Sequence, residues 1–271
     1  MQIDSLHTYP VKGCHRLDHD EAAVEPWGLA GDRRWLVVDA DGVGVTQRTT
    51  ARLVHLQPRP RPGGLLLRAA TEPAATLDVA EPVAGPKIDV RVFSSKPFVP
   101  ARLATDDAHA WLTALLGLPV RLAWLADPTA RPANPAYAEE GDRVSFADAL
   151  PILITNTASL DCVNDWLAEA GDEPVPMARF RPNVVVRDAP WSEDGWIGRR
   201  LRLGDTVVRA TKACDRCVVT TIDQESGESG RQPLRALGQH RRYPEGLLFG
   251  VNVIPDGPGT IRVGDSVELL P

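Results

Sequence analysis

Sulfur is scarce in this chain: four cysteines and two methionines among 271 residues. So few thiols make no disulfide scaffold, and a reducing compartment, the cytoplasm, is expected. No apolar run approaches the ~18 residues needed to span a bilayer. The opening Met1-Gln2-Ile3-Asp4-Ser5 lacks the basic and apolar stretches of a secretion signal. Excess positive charge is missing too. A net charge of −6 argues against a general nucleic-acid binder, since neutralising phosphates calls for a basic surface. It still permits a local cationic pocket for one small anion. There is no Walker A motif, no GxGxxG behind a strand and no GxSxG, so the common nucleotide and hydrolase readings lack support. The six histidines (His7, His15, His19, His55, His109, His240) form no metal-spaced cluster.

Turn-forming residues are abundant. With 24 Pro and 22 Gly, many short strands are favoured over long helices. Strands are expected at Ile3–Tyr9, Arg34–Asp39, Val43–Arg48, Leu53–Gln57, Leu65–Ala69, Thr76–Val79 and Lys87–Val92. A hairpin should turn at Asp39-Ala40-Asp41-Gly42, and Pro58 to Gly64 reads as a turn cluster. Such spacing suggests a barrel or sandwich. Helices are expected at Asp106–Leu116, between Thr105 and Gly117, and at Ala158–Ala170, between Asn156 or Thr157 and Gly171. Ala126 to Asp142, rich in Pro, Ala and charge, is either an active-site loop near a domain junction or a linker. Leu201–Val208 and Ile261–Glu268 each alternate around Gly-Asp and read as two hairpins of one barrel.

The sparse sulfur is partly concentrated. Lys212-Ala213-Cys214-Asp215-Arg216-Cys217-Val218-Val219-Thr220-Thr221-Ile222-Asp223 sets two thiols three positions apart with a cation between them. Thiolates suit soft metals, and a neighbouring cation favours the thiolate. Structural zinc would need two further ligands that the sequence does not supply. A redox dithiol would need a following helix, whereas β-branched, strand-forming residues follow Cys217. Two thiols packed as small hydrophobes, or a single thiolate offered to a cofactor metal beside Arg216, are the other readings.

Cys214–Asp223, with Gly227, Leu247-Leu248-Phe249-Gly250-Val251-Asn252 and Gly259–Asp265, resembles the C-terminal half of a MOSC domain. Phe180-Arg181-Pro182-Asn183 and Thr157-Ala158-Ser159-Leu160 resemble motifs of the same family. Tyr9-Pro10-Val11-Lys12-Gly13-Cys14 and Gly31–Val38 are similar to the N-terminal β-barrel region found before MOSC in amidoxime-reducing proteins. The motifs stand in the family's order along nearly the whole chain.

The resemblance implies a mainly β fold with a few helices. An N-terminal β-barrel domain would span 1–120 and a MOSC β-barrel domain 121–271, with a molybdenum cofactor (Mo-molybdopterin) in the cleft between them. It implies Cys217 as the protein's one ligand to molybdenum and as the catalytic residue. Lys12, Gly13, Arg33, Asp148, Arg181, Asn183, Asp215, Arg216 and Asn252 would join Cys217 in lining the cofactor. Relatives often carry Ser where this chain has Gly13, and hydroxyl residues where it has Ala149-Leu150. The implied activity is reduction of N-hydroxylated compounds (amidoximes, hydroxylamines, N-hydroxylated bases) by oxygen-atom removal. No ferredoxin, flavin or haem motif is present, so a separate electron-transfer reductase is the expected partner, with neither nucleic acid nor membrane. The alternative is a cofactor carrier, or a sulfur carrier using a Cys217 persulfide. Cys14 and Cys162 are expected to be structural.

Overall fold

Strand formation follows the turn chemistry along most of the chain. In the computed structural model, which describes residues 1–271, strands hold 38% of the residues and helices 19%, so the fold is mainly β. Expected strands are found at Gln2–Thr8, Trp35–Val38, Gly64–Ala69, Thr76–Ala80 and Lys87–Val90. The helices Asp106–Leu116 and Thr157–Glu169 also form. The first ends at left-handed Gly117, and the second is capped by the Asn156 side chain, which accepts from the Ala158 N–H at 3.1 Å. A third helix, Leu234–His240, carries no sequence signal of comparable strength.

The sheets are open rather than closed barrels. The largest has nine strands: eight run from Val267–Leu269 through Arg200–Leu203, Thr206–Asp215, Gly246–Pro255, Ile152–Asn156, Val184–Arg187 and Gln2–Thr8 to Leu17–His19, and Arg242–Tyr243 pairs with Gly246–Pro255 off this path. The Gln2–Ser266 bridge and backbone hydrogen bonds from Ile3 N to the Asp265 carbonyl, Gly264 N to the Ile3 carbonyl and Val267 N to the Met1 carbonyl join Gln2–Thr8 to the segment leading into Val267–Leu269, without a continuous ladder that would complete a barrel. Its apolar face holds a core that includes Ile3, Leu6, Ile154, Val186, Trp196, Leu201 and Val253. Three smaller sheets adjoin it. One of them carries the helix Asp106–Leu116 over a core with Leu53, Leu67, Leu112 and Leu122. Because Gln2–Thr8 pairs with Val184–Arg187, and Glu21–Glu25 with Gly259–Arg262, the two ends of the chain share sheets.

Four local expectations need correction. Val43–Arg48 is not a strand: isolated bridges touch its first residues, and the chain turns at Thr46, whose carbonyl accepts from Thr50 N at 2.9 Å. Ala51–His55 is a 3-10 turn, and the strand begins only at Leu56. That strand, Leu56–Arg61, contains Pro58 and Pro60, which were read as turn residues. It lies at a sheet edge, where the missing N–H groups break no second ladder. Finally, Gly259–Arg262 and Val267–Leu269 pair in different sheets and form no hairpin together, unlike Arg200–Leu203 with Thr206–Asp215.

Candidate functional site

A cleft of about 460 Å³ opens where the N-terminal segments meet the large sheet. Every residue expected to line the cofactor borders it: Lys12, Gly13, Arg33, Asp148, Arg181, Asn183, Asp215, Arg216, Cys217 and Asn252. Arg48, Lys96 and Lys212 add to its basic wall, and Phe93 and Tyr137 supply aromatic faces. Tyr137 and Asn134 come from the Ala126–Asp142 loop, so that segment is part of the cleft wall.

The floor is organised around Tyr9, which is 1% exposed. Its backbone N–H donates to Asp32 Oδ1 at 2.7 Å and its hydroxyl donates to the Pro182 carbonyl at 3.1 Å. The Arg33 and Arg181 guanidiniums lie 4.5 and 4.2 Å from the centre of its ring. Both arginines adopt left-handed backbone conformations (φ 49° and 54°), which for a residue with a side chain costs on the order of 1–3 kcal/mol each. Burial opposes the charge on Arg33, but Asp32 at its guanidinium, with Tyr9 and Asp148, more than offsets it; Arg181 makes no ion pair with a carboxylate, and burial lowers its pKa.

Arg181 is steered instead by a buried amide pair. Its Nη1 donates to Gln224 Oε1 at 2.7 Å. Gln224 and Gln47 exchange amide hydrogen bonds of 2.9 and 3.0 Å, and Gln47 Nε2 also donates to the Gly13 carbonyl at 2.7 Å. Asn183 is likewise a strut: its Oδ1 accepts from Arg33 Nη1 and Leu153 N, and its Nδ2 donates to the His7 carbonyl. The Asn252 side chain lines the cleft from the strand Gly246–Pro255.

Lys12 is almost fully buried and bonded to Asp148, with its ammonium 5.2 Å from the Phe93 ring centre. Burial pushes it down to about 8 despite the Asp148 charge. Asp148 is half-exposed at the cleft; partial desolvation there opposes its charge, but Lys12, Arg48 and Arg33 hold it down at about 2. Arg131 lies behind this pair and donates to the Ala147 carbonyl at 2.6 Å. Burial brings it down to about 10.

The two neighbouring thiols have different surroundings. Cys217 ends the extended backbone, and a 3-10 turn, Val218–Thr221, follows it in place of the expected strand. Thr220 and Thr221 hydroxyls donate to the Cys217 and Val218 carbonyls at 3.0 and 2.8 Å, which gives the β-branched run a local alternative to a ladder. Arg48 Nη2 donates to Cys217 Sγ at 3.3 Å, and Arg216 Nη1 donates to Cys214 Sγ at 2.9 Å. Arg216 is anchored through the Phe180 carbonyl, while its Nε is buried without a partner. Cys14, fully buried, is pushed up to about 12 and is inert; Cys162 stands apart on the second helix. No group of three or more His, Cys, Asp or Glu comes together as a metal site, so the protein alone does not offer zinc its ligands.

Sequence reasoning missed Gln47, Arg48, Phe93, Lys96 and Gln224. Gln47 and Arg48 fell in a supposed strand, and nothing local distinguishes the others from surface residues.

Fold and cleft define a mainly β protein with a thiol set in a strongly cationic groove. Residues 1–119 match the model of the MOSC N-terminal beta barrel domain and residues 141–268 that of the MOSC domain, so the chain belongs to the MOSC family. Its similarity to the mitochondrial amidoxime-reducing components covers nearly all of this chain and about four-fifths of theirs. It is 32% identical to component 1 of Mus musculus and 31% identical to that of Homo sapiens, in each case over 99% of this chain and 82% of the relative. Component 2 of Homo sapiens is 30% identical over 98% of this chain and 82% of its own length. The YUAD protein of Bacillus subtilis, a solved structure, aligns over 99% of this chain and 94% of its own, with 11% identity and a TM-score of 0.44.

Proposed function

We propose that this protein is a molybdenum-cofactor enzyme that reduces N-hydroxylated compounds such as amidoximes, hydroxylamines and N-hydroxylated bases. The net change is R–NH–OH + 2e⁻ + 2H⁺ → R–NH₂ + H₂O, with electrons from a separate reductase. The carrying observation is the pairing of Cys217 with a cationic wall in one cleft. Similarity over 99% of this chain to proteins named as amidoxime-reducing components supports the reaction class.

The cleft's chemistry fits a phosphate-ended, thiolate-held metal cofactor. The Arg181 side chain forms no ion pair and donates only to the Gln224 amide, and the buried Arg216 Nε has no acceptor. Both suit a ligand that is rich in acceptors and negative charge. Cys217 would be the single protein ligand, with no group of three or more His, Cys, Asp or Glu present to take the metal by itself. Lys12, Arg33 and Arg181 would hold the phosphate, and the Gly13 backbone would serve where a hydroxyl is absent. Asp148 would fix Lys12. Arg216, anchored at Phe180, and Asp215, paired with Lys212 at 2.6 Å, would line the metal end. The Asn252 amide would address the polar ring edge. Asn183 would act through Arg33. When bound, such a cofactor supplies two-electron oxygen-atom transfer, while the protein supplies binding, orientation and electrostatics.

The cofactor would lie between an N-terminal module, 1–120, and a C-terminal module, 121–271. All four cysteines are free thiols, consistent with a reducing compartment such as the cytoplasm. No helix is long and apolar enough to cross a membrane. The test is turnover: cofactor-loaded protein given reduced viologen should reduce benzamidoxime, and Cys217→Ala should not. Equal turnover by the variant overturns the catalytic assignment.

A further inference from the structure

At the thiol end of the cleft, charge is not balanced within the protein. Lys12 is matched by Asp148 and Lys212 by Asp215. Arg48 is not: its one carboxylate contact is with Asp148 at 3.7 Å, and Asp148 is already engaged by Lys12. Its guanidinium instead lies 4.7 Å from the Phe93 ring centre, with Nη2 on Cys217 Sγ. Lys96 follows Phe93 on the same turn, closed by Lys96 N donating to the Phe93 carbonyl at 2.9 Å. It borders the cleft and forms no ion pair. These cations differ from Arg33 and Arg181, which are stacked on Tyr9 in the floor. A cofactor phosphate held by the floor would leave Lys96 without a partner and Arg48 with only a share of Asp148 where a reacting molecule must enter. In a chain of net charge −6, such a local excess focuses the field into the cleft.

We propose that Arg48 and Lys96, with the Phe93 ring beside Arg48 as an aromatic wall, form a substrate subsite for an anionic group. The preferred substrates are then flat N-hydroxylated compounds that carry a carboxylate or a similar anion. This rests on the reductase reading, but the subsite can be tested separately from it.

The cofactor-loaded protein is given three benzamidoximes: para-carboxylate, unsubstituted and para-trimethylammonium. The carboxylate should have the highest kcat/KM and the ammonium the lowest, each step about five- to tenfold, expressed mainly in KM and compressed at raised salt. Lys96→Gln and Arg48→Gln should each shrink the carboxylate-to-neutral ratio, and Lys96→Arg should restore it. Independently of turnover, calorimetric titration of the loaded protein with 4-carboxybenzamide and with benzamide should show tighter binding of the anion, with the margin lost in Lys96→Gln. Equal kcat/KM for the three substrates together with equal binding of the two amides overturns the subsite and leaves the reductase reading intact. If none of the three is reduced while the carboxylate amide still binds better, the reductase reading fails and the subsite stands.

Discussion

Lys12 is the residue whose replacement should separate stability from binding most cleanly. Its ammonium sits almost fully buried, and its pKa is depressed from 10.5 to about 8 even with Asp148 alongside. A depression of that size means the folded protein spends about 3 kcal/mol at neutral pH to keep the charge. Lys12→Met retains the hydrocarbon stem and removes the charge, while the half-exposed Asp148 is left to water and Arg48. Allowing for the lost contact with Phe93, cofactor-free Lys12→Met should be more stable than the parent by about 2 kcal/mol, a Tm rise of roughly 4–8 °C.

The sign with pH is fixed. Between about 8 and 10.5 the unfolded chain holds the Lys12 proton more fully than the folded one, so this residue makes parental stability rise with pH across that window. The variant's advantage should therefore be greatest below pH ~8 and fade towards pH ~10.5. Differential scanning calorimetry of both cofactor-free proteins across this range is the assay. A variant that is less stable than the parent by a pH-independent amount would falsify the reasoning. Purified from the same cofactor-producing cells, Lys12→Met should carry about tenfold less pterin, read as the fluorescence of its oxidised form, because a charge-assisted phosphate contact is gone.

Other perturbations test the remaining parts. Gln224→Leu strips Arg181 and Gln47 of their buried partners and should cost about 2–4 kcal/mol in urea unfolding, while lowering pterin content. Gly250 has φ 79°, and a Cβ there would meet the Ile154 carbonyl at 2.6 Å, so Gly250→Ala should destabilise the large sheet measurably in the same assay. Leu112→Ala, in the buried face of the first long helix, should cost about 2–5 kcal/mol without changing the ratio of kcat/KM between substrates. Cys214→Ala should retain turnover that Cys217→Ala loses.

The parts of the fold governed by local chemistry were legible from sequence. Helix Asp106–Leu116 follows from Gly117 and its apolar spacing, and the Arg200–Asp215 hairpin from its Gly-Asp turn. Where long-range pairing decided, local patterns misled. Pro58 and Pro60 suit an edge strand as well as a turn, and only the partner strand distinguishes the two. The Val218–Thr221 run is strand-forming by composition, yet hydroxyl bonds to the preceding carbonyls close it into a 3-10 turn. For the cleft, the ordered motifs named the residues that the fold brings together. They were silent on Gln47 and Gln224 and gave Tyr9 no role, although these three hold Arg33 and Arg181 across large sequence separations.

On the proposed reading, Cys217 joins a molybdenum cofactor to this chain. Metal analysis of parent and Cys217→Ala proteins, purified side by side from cofactor-producing cells, addresses it directly. Molybdenum should approach one atom per parent chain and fall sharply in the variant, with zinc negligible in both. Stoichiometric zinc without molybdenum in the parent, or undiminished molybdenum in the variant, would contradict the account.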